Sequence, residues 1–132
     1  MLWKRGSLSS EQVDLVLRHM PLDISVADAD DVLVFWKGDT YKTCDGRYVG
    51  RDVRDCHPEE ALAPLEEILR AFRSGERDVA EGWHETKGRF KVTRYIALRN
   101  DAGDYRGILE VNLDATELRA LTGERALPGW ED

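Results

Sequence analysis

Two long segments near the C-terminus carry the clearest hydrophobic pattern in the chain. Arg89–Leu98 (RFKVTRYIAL) and Tyr105–Leu113 (YRGILEVNL) alternate in character, and the polar stretch from Arg99 to Asp104, which includes Gly103, separates them. This spacing predicts a long antiparallel hairpin. The second strand runs directly into Asp114-Ala115-Thr116-Glu117, which has the form of a helix start.

Upstream, Val13, Leu15, Val16, Leu17 and Met20 form an apolar stripe behind Ser9 and Ser10, either of which can cap a helix, and Pro21 stops it. Leu22–Ala27 then alternates with period two, turns at Asp28–Asp31, and resumes as Val32–Trp36, a first hairpin. From Lys37 to Cys56 the glycines Gly38, Gly46 and Gly50 interrupt polar residues, and short helical turns and loops are expected there. Leu62, Leu65, Ile68, Leu69 and Phe72 have helical spacing and Gly75 is placed to end the helix. Pro64 falls inside this pattern, so a break is expected, with one turn over Pro58–Ala63 and the main helix starting at Pro64. A strand over Asp78–Thr86 and the turn Lys87-Gly88 lead into the closing hairpin.

The order is thus helix, two strands, irregular turns, helix, three strands, helix. Three consecutive strands form a meander, and the first hairpin can join it in a five-stranded antiparallel sheet with helices on one face, an α+β fold. At 132 residues the chain supports one core. We divide it into an extension over 1–8, a domain over 9–122 with an N-terminal cap helix, and a tail over 123–132 in which Trp130 is the one large apolar anchor.

A net charge of −7 disfavours nonspecific binding to nucleic acid or an anionic membrane. No apolar run approaches the roughly 20 residues that cross a bilayer. The N-terminus lacks a secretory signal and there are two cysteines, Cys44 and Cys56, so a cytoplasmic location is expected.

The wording of several segments is more specific than their pattern. Gly50–Pro58 (GRDVRDCHP), Ser74–Trp83 (SGERDVAEGW), Arg94–Arg99 (RYIALR), Gly107–Val111 (GILEV) and Asp114–Arg119 (DATELR) together resemble the PAS module found beside hemerythrin-like domains in prokaryotic proteins. The resemblance spans about residues 9–124. It implies the PAS fold, a sensory role, and a ligand pocket between sheet and helices. Two departures are apparent: the hemerythrin-like partner is absent, which implies a stand-alone sensor acting in trans, and Gly82 stands where the family usually carries an aromatic residue.

Candidate chemistry is sparse. His57, at the start of the helix lining a PAS pocket, could ligate haem iron, against the plainer reading of a helix cap or loop hydrogen bond. Cys44, Cys56, His57 and His84 supply possible zinc ligands without a Cys-x-x-Cys pair, and Cys56 has the plainer reading of a small buried apolar residue. Trp36, Trp83 and Tyr95 are candidates for a pocket wall, against plain core packing. Counted with period two, Arg94 shares a face with Phe90, Val92, Ile96 and Leu98, so it needs either an ion pair with Glu81 or Glu110 or an anionic ligand. No Ser-His-Asp order, phosphate loop or paired histidine motif points to catalysis.

The expected function is a PAS sensory module that binds a small molecule or cofactor and signals to a partner protein in trans. The ligand-binding candidates are Arg94, Trp36, Trp83, Tyr95 and His57, and haem is the cofactor candidate through His57. Two rival readings stand beside it: a ligand-free interaction and dimerisation module, and a haem-based gas or redox sensor. A homodimer is expected, through the amphipathic entry helix or, in the interaction-module reading, through the sheet or that helix.

Overall fold

The computed structural model describes residues 5–38 and 45–131. The first helix, α1 (Ser10–His19), opens on a reciprocal cap: the Ser9 side chain accepts from the Gln12 backbone N–H, and the Gln12 side chain accepts from that of Ser9. It buries none of its residues, so its stripe of Val13, Val16 and neighbouring apolar positions remains largely in water.

β1 (Asp23–Asp28) and β2 (Leu33–Lys37) form the first hairpin, and two 3-10 turns follow at Gly46–Tyr48 and Val53–Cys56. The long helix α2 (Glu59–Ser74) leads into β3 (Val79–Thr86), β4 (Arg89–Arg99), β5 (Tyr105–Asp114) and the single turn α3 (Thr116–Arg119). The five strands make one sheet in the order β2-β1-β5-β4-β3, antiparallel throughout. The chain therefore has the expected α+β architecture.

The expected break at Pro64 does not occur; α2 is continuous from Glu59 and contains the proline. The hydrogen bond Pro64 cannot make is to the carbonyl of Glu60, an exposed residue one position from the helix start, where water can serve the oxygen instead. At its other end α2 stops at Gly75, whose φ of 82° lies in the left-handed region.

Leu65, Leu69 and Phe72 of α2 pack on Ala27, Leu33, Val53 and Ile108 to form the core. Leu33, Leu69 and Phe72 are fully buried, each worth about 1.5–3 kcal/mol of transfer free energy. The helix contributes three large residues, and the strands contribute Leu33 and Ile108 with the smaller Ala27 between them. Gly107 is needed for a different contact: a Cβ there would lie 2.3 Å from the carbonyl oxygen of Ala27 on β1.

The β1–β2 turn is bound to the helical layer by charge. Asp28 Oδ1 accepts from the backbone N–H groups of Asp30 and Val32, and Asp31 turns into the left-handed region at φ 65°. The Asp31 carboxylate, with the residue 5% exposed, receives Arg73 of α2 on one oxygen and Arg54 of the second 3-10 turn on the other, the latter at 3.0 Å. Arg54 also reaches Asp52 and Glu66.

Asp31→Asn keeps a residue type that tolerates the left-handed backbone but removes the charge from two arginines. We expect a loss of about 2 kcal/mol, measured as a lower urea midpoint with unchanged m-value, and a larger loss for Asp31→Ala, which adds backbone strain.

Candidate functional site

The strand register sets two rows of residues on the sheet face beneath α2. One row runs Ser25, Glu110, Tyr95, Ala80 across β1, β5, β4 and β3; the next runs Asp23, Asn112, Thr93, Gly82. Polar groups thus begin where the apolar core of Ala27, Ile108 and Ala97 ends. Thr93 donates its hydroxyl to Asn112 Oδ1 at 2.6 Å within the second row.

In the first row Tyr95 is the hub. Its hydroxyl donates to Glu110 Oε1 at 3.1 Å and lies 3.4 Å from Nε2 of His57. The other ring nitrogen of His57 lies 2.7 Å from the carbonyl oxygen of Val53, which can only accept, so Nδ1 carries the proton. His57 therefore closes the second 3-10 turn rather than capping α2, whose N-cap is Pro58. Burial, with help from the negative charge of Glu110, pushes the Tyr95 hydroxyl well above the ordinary tyrosine value.

Three spaces adjoin these residues. An interior cavity of about 20 Å³ is bounded by Ser25, His57, Tyr95, Glu110 and the core residues around them. A second cavity of about 230 Å³ opens between α2 and the β3–β4 edge, lined among the described residues by Ile68, Ala80, Glu81, Gly82, Thr93 and Tyr95. A cleft of about 690 Å³ lies at the other end of the sheet, where Trp36 meets Asp23, Lys37, Gly38, Asn112 and Asp114.

Of the five candidate ligand residues, the structure brings together His57 and Tyr95. Trp36 lines the separate cleft. Trp83 and Arg94 lie on the opposite sheet face; Trp83 is 65% exposed, and Arg94 is exposed and paired with Glu81. The face that Arg94 shares with Val92, Ile96 and Leu98 is thus not the wall beneath α2. The ion pair with Glu81 expected for Arg94 is present, but on the surface. Glu110 and Ser25 join the site through the cross-strand register. Their signal was the polar parity of β5 and β1, which alternation alone reads as the solvent side.

A haem does not fit this arrangement. The interior cavity accommodates about one water molecule, and both ring nitrogens of His57 already face protein groups. Among the described residues no group of three or more His, Cys, Asp or Glu side chains is placed to hold a metal ion. His84 is exposed on β3. Cys56 is disulfide-bonded and half-buried rather than a free apolar thiol. Cys44 lies outside the described residues.

The sheet ends in a stitched exit. Asp114 Oδ1 accepts from both the backbone N–H and the hydroxyl of Thr116, and Arg89 donates to its other oxygen at 2.8 Å. These bonds hold the Asp114 carboxyl below the usual carboxylate range. Thr116 Oγ1 also accepts from the Phe90 backbone N–H at 2.8 Å, which ties the start of α3 to β4.

A profile of the PAS domain family matches residues 13–116. The chain belongs to the PAS domain family. Among solved structures, a C-terminal domain from Streptococcus mutans is similar at 31% identity, covering 92% of this chain and 96% of that one, with a TM-score of 0.79. A PAS domain from Colwellia psychrerythraea covers 81% of this chain and 97% of its own at 16% identity (TM-score 0.57). A sensory box sensor histidine kinase from Vibrio cholerae covers 79% and 88% at 15% identity (TM-score 0.57). No curated protein sequence matches the chain. This PAS domain is a sensory module by family, and no helix among its described residues is long and apolar enough to cross a membrane.

The Tyr95 shift has a sign that titration can check. A tyrosine raised in the folded state keeps its full contribution below the unfolded value near 10 and loses it as pH rises toward the folded value. Tyr105 is also raised, mainly by burial. In an alkaline titration followed by tyrosinate absorbance, a late phase is expected that coincides with unfolding and shrinks in Tyr95→Phe.

Proposed function

We propose that this PAS domain senses a small polar ligand on the inner face of its sheet, around Tyr95 and Glu110, and passes the change through β5 and α3 to a partner protein. The observation carrying this reading is the His57–Tyr95–Glu110 cluster. A carboxylate and a histidine beneath the main helix are costly choices for a position that needs only packing. The Tyr95 hydroxyl bonds Glu110 across β4 and β5 and lies against His57 Nε2, so any group displacing Tyr95 touches two strands and the second 3-10 turn at once. Glu110 lies on β5, four residues before the Asp114–Thr116 exit, and a shift of that strand is felt by Arg89 and Glu117 there.

The partner remains to be identified by capture. The wording shared with PAS modules beside hemerythrin-like domains makes such a domain the first candidate. Haem-based sensing is not carried forward, because the cavity beside His57 is too small.

One observation favours a second copy of the chain as a further partner. The outer sheet face presents Val26, Val92, Ile96, Leu98, Leu109, Val111 and Leu113, all half-exposed, while α1 leaves its own stripe in water. A row of partly exposed apolar side chains shared by adjacent strands is the kind of surface that carries an interface.

Native mass spectrometry of the protein purified without denaturation tests both statements. A bound small mass, lost in Tyr95→Trp, is expected for the sensor reading; a preparation free of any ligand, and inert to a small-molecule library, would leave the interaction module. A dimer is expected at micromolar concentration, and Ile96→Glu should convert it to monomer by sedimentation without altering the circular dichroism of the fold.

A further inference from the structure

Tyr95 is the one described residue that borders both the 20 Å³ interior cavity and the 230 Å³ cavity at the β3–β4 edge. Gly82 lines the wider cavity on its sheet side. Gly82 faces α2 beside Thr93, and a Cβ built there meets nothing within 4 Å. Its φ is not in the left-handed region, so the backbone does not require glycine. What glycine supplies at this position is open space between the sheet and Ile68.

Among the described residues one unpaired carboxylate, Glu110, adjoins the interior, while the Glu81 carboxylate is neutralised by Arg94 on the outer face. Glu81, paired with Arg94, stands at the rim of the wider cavity, Glu110 borders the interior cavity behind Tyr95, and no lysine or arginine is among the described residues lining either cavity. Tyr95 remains a neutral hydroxyl with a single proton, which it gives to Glu110. Thr93 gives its hydroxyl proton to Asn112. The side-chain oxygens near the space, on Glu110 and on Thr93, therefore offer acceptors. The net charge of −7 adds a field that attracts cations.

We infer that Gly82 opens a side port to the interior, that Tyr95 is its gate, and that the ligand is a small cationic nitrogen compound, an amine or amidine, anchored on Glu110. This rests on the ligand-sensing reading above and adds to it the entrance and the chemical class. The ligand enters between Ile68 and Gly82, its N–H groups replace the Tyr95 hydroxyl on Glu110, and the ring swings from between the two cavities so that they join. Movement of Tyr95 also removes the ring that lies against His57 Nε2, which couples occupancy to the second 3-10 turn by packing. An amidine matches a carboxylate through two parallel hydrogen bonds, whereas an anion would meet Glu110 without a counter-charge.

Benzamidine and benzoate, alike in shape and opposite in charge, are suitable probes, followed by amide NMR shifts of the whole chain. Benzamidine is expected to shift Gly82, Thr93, Tyr95 and Glu110, and benzoate to leave them in place. Glu110→Gln should weaken benzamidine at least tenfold, and Gly82→Phe should abolish the shifts while the fold is retained by circular dichroism. Tyr95→Phe, which keeps the ring but not its bond to Glu110, should bind benzamidine several-fold more tightly; a purely structural tyrosine would not produce a gain. Equal binding of benzoate would overturn the cation assignment and leave the sensor reading intact. Benzamidine shifts that persist in Gly82→Phe would overturn the port, and the absence of shifts with both probes would overturn the inference, while a bound mass in native spectrometry would still uphold sensing.

Discussion

The Asp31 carboxylate is the contact on which the rest of the architecture depends. It is buried at the tip of the first hairpin, in a left-handed backbone conformation, and it receives one arginine from α2 and another from the 3-10 turn that precedes it. Three segments distant in sequence are fixed by one charged group. Replacing such a cluster with apolar residues is often neutral for stability, but removing one member leaves the others uncompensated. What Asp31 adds is position: it sets where α2 crosses the sheet and where the turn ending at His57 comes to rest. The core residues Leu65, Leu69 and Phe72 and the polar hub at Tyr95 both inherit their placement from it.

The sheet reverses the usual sense of its two faces. The face under α2 carries Ile108 and Tyr95 among Ala27, Ala80, Ala97, Gly82 and a polar row, while the outer face carries valines, leucines and isoleucines together with Trp83 and the Glu81–Arg94 pair. Helix packing explains the first: large side chains from α2 need small residues opposite them at interior density. Polar groups can then sit beyond the helix contact without being sealed in a dry core. Ile24 on the outer face is buried, while Val26, Val92 and Ile96 beside it remain partly exposed among the described residues.

The closing hairpin connects these features. Tyr95 and Glu110 face each other across β4 and β5, and the same two strands end at Arg89 and Asp114, whose ion pair holds the turn into α3. The Tyr95–Glu110 bond and the Asp114 exit thus share one antiparallel ladder. The Asp-x-Thr segment owes its form to local chemistry: one carboxylate oxygen serves two donors of Thr116, and the threonine oxygen then accepts from Phe90.

Most of the element order was legible in the sequence because it rests on local physics. Alternation marked the strands, Ser9 and Gly75 marked helix ends, and the Gly103 turn marked the closing hairpin. The PAS resemblance agreed with the family match, and the five-stranded sheet followed from connectivity. Three features needed the tertiary structure. Pro64 is tolerated because the carbonyl it leaves unbonded belongs to exposed Glu60, a property of burial rather than of sequence. Which parity of β4 faces α2 was decided by the size of the residues opposite, so Arg94, on the more apolar parity, lies outside and Tyr95 inside. The site itself, His57 against Tyr95 against Glu110, joins residues 38 and 15 positions apart. Local pattern determined the elements of this chain; the pairing of its strands and the clamp at Asp31 decided which side chains meet.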